Sequence, residues 1–122
     1  MNVPTEARIA NSTRGAIIAT RARFAVKGAE RRRGLLGRDS IETGEALLFP
    51  RCRQVHMFGM KFTIDVLFLD KGGRAVRCVS GLAPGHLSPW VRKARTAIEL
   101  PAGTLETTRT QQWDVIEIEP VL

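Results

Sequence analysis

A chain of 122 residues with 43% hydrophobic and 25% charged side chains can build one ordinary core, which excludes disordered and collagen-like classes. Nineteen Lys and Arg against twelve Asp and Glu leave a net charge of +7, a field that attracts nucleic acid, acidic proteins or anionic lipid headgroups. No uncharged apolar run approaches the ~18 residues of a membrane span. The apolar stretch Gly15–Ala19 is too short for a signal peptide, so a cytoplasmic location without a membrane span is expected.

In chain order, residues 1–14, with Pro4, Asn11, Ser12 and Thr13, read as a flexible polar lead-in to a single β domain over 15–122. Residues 15–26 read as a strand carrying Ile17, Ile18, Phe24 and Val26. Good helix formers from Lys27 to Leu36 end at Gly37, a C-cap residue, which predicts one short helix. Arg31, Arg32 and Arg33 fan around that helix, and with Arg38 they form a candidate anion-binding rim. Arg38 and Asp39 are expected to form a surface ion pair.

Beyond Gly37 the chain reads as short strands with turn punctuation. Glu45–Phe49 is stopped by Pro50, and Arg53–Phe58 ends near Gly59. The clearest strand is Phe62–Leu69. Phe62, Ile64, Val66 and Phe68 share one face and Thr63, Asp65, Leu67 and Leu69 the other, which predicts a strand covered on both sides. Asp70-Lys71-Gly72-Gly73 reads as a hairpin turn, with Arg74–Val79 returning antiparallel. A Gly- and Pro-rich loop spans 81–89. Ala94–Leu100 and Trp113–Glu119 close the chain, with a helical turn between 102 and 112. The pattern predicts an all-β protein, a jelly-roll-like β-sandwich or barrel of about seven or eight mostly antiparallel strands with one or two short helices.

Charge is distributed unevenly. Residues 1–53 carry eleven basic against five acidic side chains, whereas 96–122 carry Arg109 against five acids, so the two ends can pair within the fold. Cys52 and Cys78 sit in separate segments without a CxxC pair. They are expected as reduced thiols unless the fold brings their Cα atoms to about 5.5–6 Å.

Gly34-Leu35-Leu36-Gly37-Arg38, the stretch from Cys52 to Asp70 (CRQVHMFGMKFTIDVLFLD) and Glu99-Leu100-Pro101-Ala102-Gly103 together resemble the prokaryotic family known as domain of unknown function 192. The resemblance runs from about Phe24 to Glu119. It implies a compact all-β fold of bacterial origin and brings no defined activity. It also implies a link to pilus assembly or secretion, although many relatives are exported and this chain shows no such leader. Where the family usually has a Gly-Asp turn before the last strand, this chain has Trp113-Asp114. Thr107-Thr108-Arg109-Thr110 stands in place of the family's small loop helix.

Three sets of residues carry candidate chemistry. Cys52, His56 and Met60 are spaced by four, so on one continuous strand they share a face and form a soft thiolate, imidazole and thioether set suited to copper; packing of the same residues in the core is the alternative. Asp65 lies in an apolar strand, and a buried carboxylate must be paired or hydrogen-bonded. One reading makes His56 and Asp65 a general-base pair. The other makes Asp65 a buried clamp held by His56, an arginine or the N–H groups of the Phe58-Gly59-Met60 turn. A recognition groove is expected from His56, Met57, Phe58, Met60 and the 81–91 loop with His86 and Trp90. Trp90 either anchors against the core edge or meets a partner.

These readings predict a non-enzymatic ligand- or protein-binding accessory module that uses no cofactor, a monomer or weak dimer. Its partner is expected to be a protein or a small anionic ligand. The alternatives are an enzyme using His56 and Asp65, and a basic nucleic-acid-binding domain, although no row of aromatics for stacking bases is visible.

Overall fold

The computed structural model describes residues 5–26 and 34–121. Its elements in chain order are β1 (Glu6–Asn11), β2 (Ala16–Phe24), β3 (Glu45–Pro50), β4 (Ile64–Leu69), β5 (Ala75–Leu82), β6 (Thr96–Pro101), α1 (Thr104–Thr107) and β7 (Ile116–Val121). Seven strands form one curled sheet in the order β5-β4-β6-β3-β2-β1-β7. All neighbours are antiparallel except β2 and β3, which run parallel from Arg21 opposite Glu45 to Phe24 opposite Leu48. The two outer strands meet at one end. There the Ala75 N–H donates to the Asp114 carbonyl (2.9 Å) and the Ile116 N–H to that of Gly73 (2.9 Å). The all-β expectation therefore holds, in the form of a sheet curled almost into a barrel.

Strand alternation divides the apolar residues into two cores. The inner one takes residues from all seven strands, among them Ile9, Ile18, Leu48, Leu67, Ile98 and Ile116, with small alanines at 7, 19, 22, 46 and 75 where the curl is tight. The second core lies on the opposite face of β3–β6. There Leu47, Phe49, Ile64, Val66 and Phe68 are covered by Val55, Met57 and Ala94. β4 is buried along its whole length, with Ile64, Val66 and Phe68 in the outer core and Leu67 and Leu69 in the inner one. This is the two-sided strand expected from its pattern. The hairpin after it is also as expected, and Gly73 adopts φ 84°. A Cβ at Gly73 would lie 3.1 Å from the Ile116 carbonyl oxygen, so the position where the sheet edges meet requires glycine.

Several local expectations are corrected. Residues 6–11 are not part of a loose lead-in but strand β1, paired with both β2 and β7. Residues 53–58 form no strand of the sheet; positive φ at Arg51 and Gly59 brackets an irregular segment joined to the next loop by one bridge, His56 to Leu87. The helix expected over 27–36 falls mainly outside the described residues, and 34–37 form a turn. A short helix does follow β6, as α1, so Thr107 ends a helix rather than replacing one.

The basic front and acidic end meet through a buried polar network. Asn11, with no exposed surface, donates to the Thr110 hydroxyl (3.1 Å) and to Asp114 (2.9 Å), and Arg14 contacts Asp114 at 3.0 Å. Burial alone would push the Asp114 carboxyl up. Hydrogen bonds from Arg14, Asn11 and the Gln111 N–H outweigh it and hold the group below its ordinary 3.8. A depressed carboxylate stabilises the fold above its unfolded pKa and loses that contribution as pH falls through its folded value. Asp114→Asn should therefore lower stability at pH 6 by about 1–3 kcal/mol. The deficit should close as urea melts are repeated below pH 3.8, and a deficit independent of pH would contradict the assignment.

Candidate functional site

The irregular segment after β3 is pinned to the 85–91 loop by backbone and side-chain hydrogen bonds. The Met57 N–H donates to the His86 carbonyl (2.8 Å), the Ser88 N–H to that of Val55 (2.8 Å), and the Val55 N–H to the Ser88 hydroxyl (2.9 Å). Local alternation buries Val55 and Met57, whereas His56 and Phe58 face outward and stack with centroids 5.2 Å apart at 24°. Gly59, at φ 79°, lets the 34–37 turn approach; a Cβ there would lie 3.2 Å from the Leu36 side chain.

Between this segment, the turn and the sheet lies a cavity of about 110 Å³. Its walls are largely apolar, formed by Leu35, Phe49, Val55, Phe58 and Met60. Its polar groups are Gln54, His56 and Glu99. Glu99 belongs to β6, where Ile98 and Leu100 fill the inner core and Ala97 and Glu99 take the outer face. Only 7% of its surface is exposed; its carboxyl accepts no hydrogen bond among the described residues, and its oxygens open on the cavity. Burial pushes that carboxyl up to about 7. A carboxyl poised near neutrality and an imidazole line one cavity, where the carboxyl can accept from a hydrogen-bond donor. None of the described lining residues is Ser, Thr or Cys.

The expected groove residues are divided. His56, Phe58 and Met60 line the cavity, Met57 is a core residue with no exposed surface, and His86 is exposed in the adjoining loop without lining it. Trp90 is not an anchor: 65% exposed, it lines a separate groove with Trp113.

Asp65 does not meet His56. Its carboxylate, 1% exposed, accepts from the N–H groups of Gly81 (3.0 Å), Gly103 (3.1 Å) and Leu105 (3.0 Å), tying β4 to β5 and to the start of α1. It is a clamp, built from other N–H groups than those of the 58–60 turn. Cys52 is half-buried against the outer core, its Sγ 3.2 Å from the Gln54 carbonyl, and does not line the cavity with His56 and Met60. No group of three His, Cys, Asp or Glu among the described residues is placed to hold a metal. No disulfide joins Cys52 and Cys78. Burial, with the charges of Asp114 and Asp65, pushes the Cys78 thiol up to about 11, which keeps it unreactive at neutral pH.

Arg38 pairs with Glu45 (2.8 Å) rather than Asp39, which faces Lys61 at 3.5 Å. Arg31, Arg32 and Arg33 lie outside the described residues. Reading the sequence missed Glu99, although the signal that singled out Asp65, one acid in an apolar strand, is equally present in Ala97-Ile98-Glu99-Leu100.

The DUF192 family model, Uncharacterized ACR, matches residues 9–118. The chain belongs to the DUF192 family. Two solved structures share the DUF192 fold seen here. One is a protein of unknown function from Novosphingobium aromaticivorans, 18% identical with a TM-score of 0.78, covering 92% of this chain and 83% of that one. The other is described as a candidate transcription regulator from Sinorhizobium meliloti, 20% identical with a TM-score of 0.79, covering 97% and 98%. At these identities the likeness is one of fold and brings no role in pilus assembly or secretion. No curated protein matches this DUF192 chain. No helix among its described residues is long and apolar enough to cross a membrane.

Proposed function

We propose that this DUF192 protein is a binding module for a small, largely apolar molecule that presents a hydrogen-bond donor, an amine above all, to Glu99. The observation that carries this reading is the Glu99 carboxyl, without a hydrogen-bond partner among the described residues, facing a cavity it shares with Leu35, Phe49, Val55, Phe58 and Met60. The Glu99 oxygens open on the cavity rather than lying buried without a partner, and burial of the side chain around them still makes the charged form costly. A ligand that donates to the carboxylate offsets that cost. The neighbouring Phe58 and His56 rings suit the rim of a site for a cationic head on an apolar body.

The test is an NMR titration at pH 7 with n-butylamine, n-butanol and butyrate. Butylamine should shift the His56 ring and Met60 methyl signals saturably and lower the Glu99 titration midpoint. Glu99→Gln should erase the preference for the amine over the alcohol, about tenfold or more for a charge-assisted hydrogen bond. Absence of saturable shifts with both amine and alcohol would overturn the reading.

A further inference from the structure

On a different part of the surface, sharing no residue with the Glu99 cavity, is a groove of about 540 Å³ lined by Trp90, Trp113, Arg77, Arg92, Lys93 and Gln112. We propose that this groove binds single-stranded nucleic acid, with bases stacked on Trp90 and Trp113 and phosphates held by Arg77, Arg92 and Lys93.

Several observations converge on that partner. The chain has two tryptophans and both line this groove, exposed to 65% and 53%. Large indoles left in water at one site are stacking platforms, and every base offers a π-face. The three cations around them make no ion pair among the described residues, and no Asp or Glu lines the groove. They stand ready for phosphate, in a protein whose net charge is +7.

Trp113 is also presented at a conformational cost. Its φ of 78° lies in the left-handed region that side chains rarely adopt. It is held there by its N–H donating to the Ala75 carbonyl (2.6 Å) and by Arg74 donating to its own carbonyl (3.0 Å). The Gln112 amide donates to the Val76 carbonyl (3.1 Å), which leaves its side-chain oxygen as an acceptor for a base amino group. The groove's volume falls in the ~300–1,000 Å³ range of ligand clefts. Three cations and two indoles along one groove are more than a single nucleotide engages, which favours a polymer over a mononucleotide.

Because both tryptophans line the groove, intrinsic fluorescence reports on it alone. At about 20 mM salt, where phosphate contacts are strongest, an octamer of thymidylate should quench the emission saturably. Log affinity should fall against log salt with a slope of about −2, as expected for three phosphate contacts to a single strand. The triple variant Arg77→Gln, Arg92→Gln, Lys93→Gln should flatten that slope by about two and weaken binding more than tenfold. Trp90→Ala and Trp113→Ala, each leaving the other indole as reporter, should weaken it about 5- to 150-fold, the range for loss of one stacked base. These side chains are exposed, so unchanged melting temperatures serve as the folding control. No saturable quench at low salt overturns the proposal, as does a triple variant that binds like the parent. Thymidine monophosphate binding as tightly as the octamer overturns the strand reading. A blue shift on phosphatidylglycerol vesicles without a response to the octamer assigns the groove to a membrane surface instead.

Discussion

Glu99→Gln should make this protein more stable, and only at neutral and alkaline pH. The Glu99 carboxyl has an ordinary value of 4.5 and is pushed to about 7 by burial. Below pH 4.5 it carries its proton in both the folded and the unfolded chain, so it contributes no pH dependence. Between 4.5 and 7 the unfolded chain releases the proton while the folded one keeps it, and stability falls as pH rises. Above pH 7 the full difference applies, about 3 kcal/mol at 1.36 kcal/mol per unit. Glutamine resembles the protonated acid in shape and does not ionise. The variant should therefore match the parent at pH 4 and exceed it by about 10 °C in Tm at pH 8. Thermal melts at both values decide the matter. An equal gain at both, or no gain at pH 8, would show that the carboxyl is solvated in the fold. That a costly acid faces the cavity among outer-core residues such as Phe49 and Val55 is the physical reason to look there for a ligand.

Asp65→Ala should have the opposite sign and the largest effect of any single substitution. The carboxylate gathers three N–H groups from two separate segments, Gly81 at the end of β5 and Gly103 and Leu105 at the start of α1. Hydrogen bonds to a charged acceptor contribute about 1.5–3 kcal/mol each, and removing the acceptor leaves the Leu105 N–H buried and unmet. A loss of about 4–5 kcal/mol is expected, enough to unfold a marginal domain. Asp65→Asn retains one acceptor oxygen and should lose about 2–4 kcal/mol, so it remains folded for study. Hydrogen exchange at Gly81, Gly103 and Leu105 should accelerate in that variant, while butylamine shifts at His56 and Met60 persist. Loss of ligand response with intact stability would restore Asp65 to the site; a stability change under 1 kcal/mol would remove it as a clamp.

How much of this was legible follows from what each residue type can signal. β4 could be read because bulky residues fill both of its faces and Asp65 interrupts them alone. β1 has the same two-residue period, with Ala7, Ile9 and Asn11 inward. Two of those three are a small residue and an amide, so the period carries little hydrophobic contrast, and the nearby Pro4, Ser12 and Thr13 outweighed it. The Cys52, His56 and Met60 set assumed a continuous strand, which left-handed backbone at Gly59, between His56 and Met60, does not allow. The alternation within 55–58 was correct as far as it went, but its pairing partner is a loop and not a strand. Glu99 could have been found by the argument applied to Asp65. The Trp90–Trp113 groove could not, since it exists only because the fold brings two distant loops to the side of β5.

The pairing of the first strand with the last governs the order of assembly. Asn11 finds its partner Asp114 at a sequence separation of 103, and one edge of β1 stays open until β7 arrives. Closing so long a loop precedes any reward from the contacts it makes, which places the protein among slow, millisecond-to-second folders. During synthesis the hairpin of β1 and β2 leaves the ribosome with an unpaired edge, a template for mispairing with a neighbouring chain. The alternation of Glu6 and Arg8 along that edge gives it charge to repel or misalign such a neighbour while it waits.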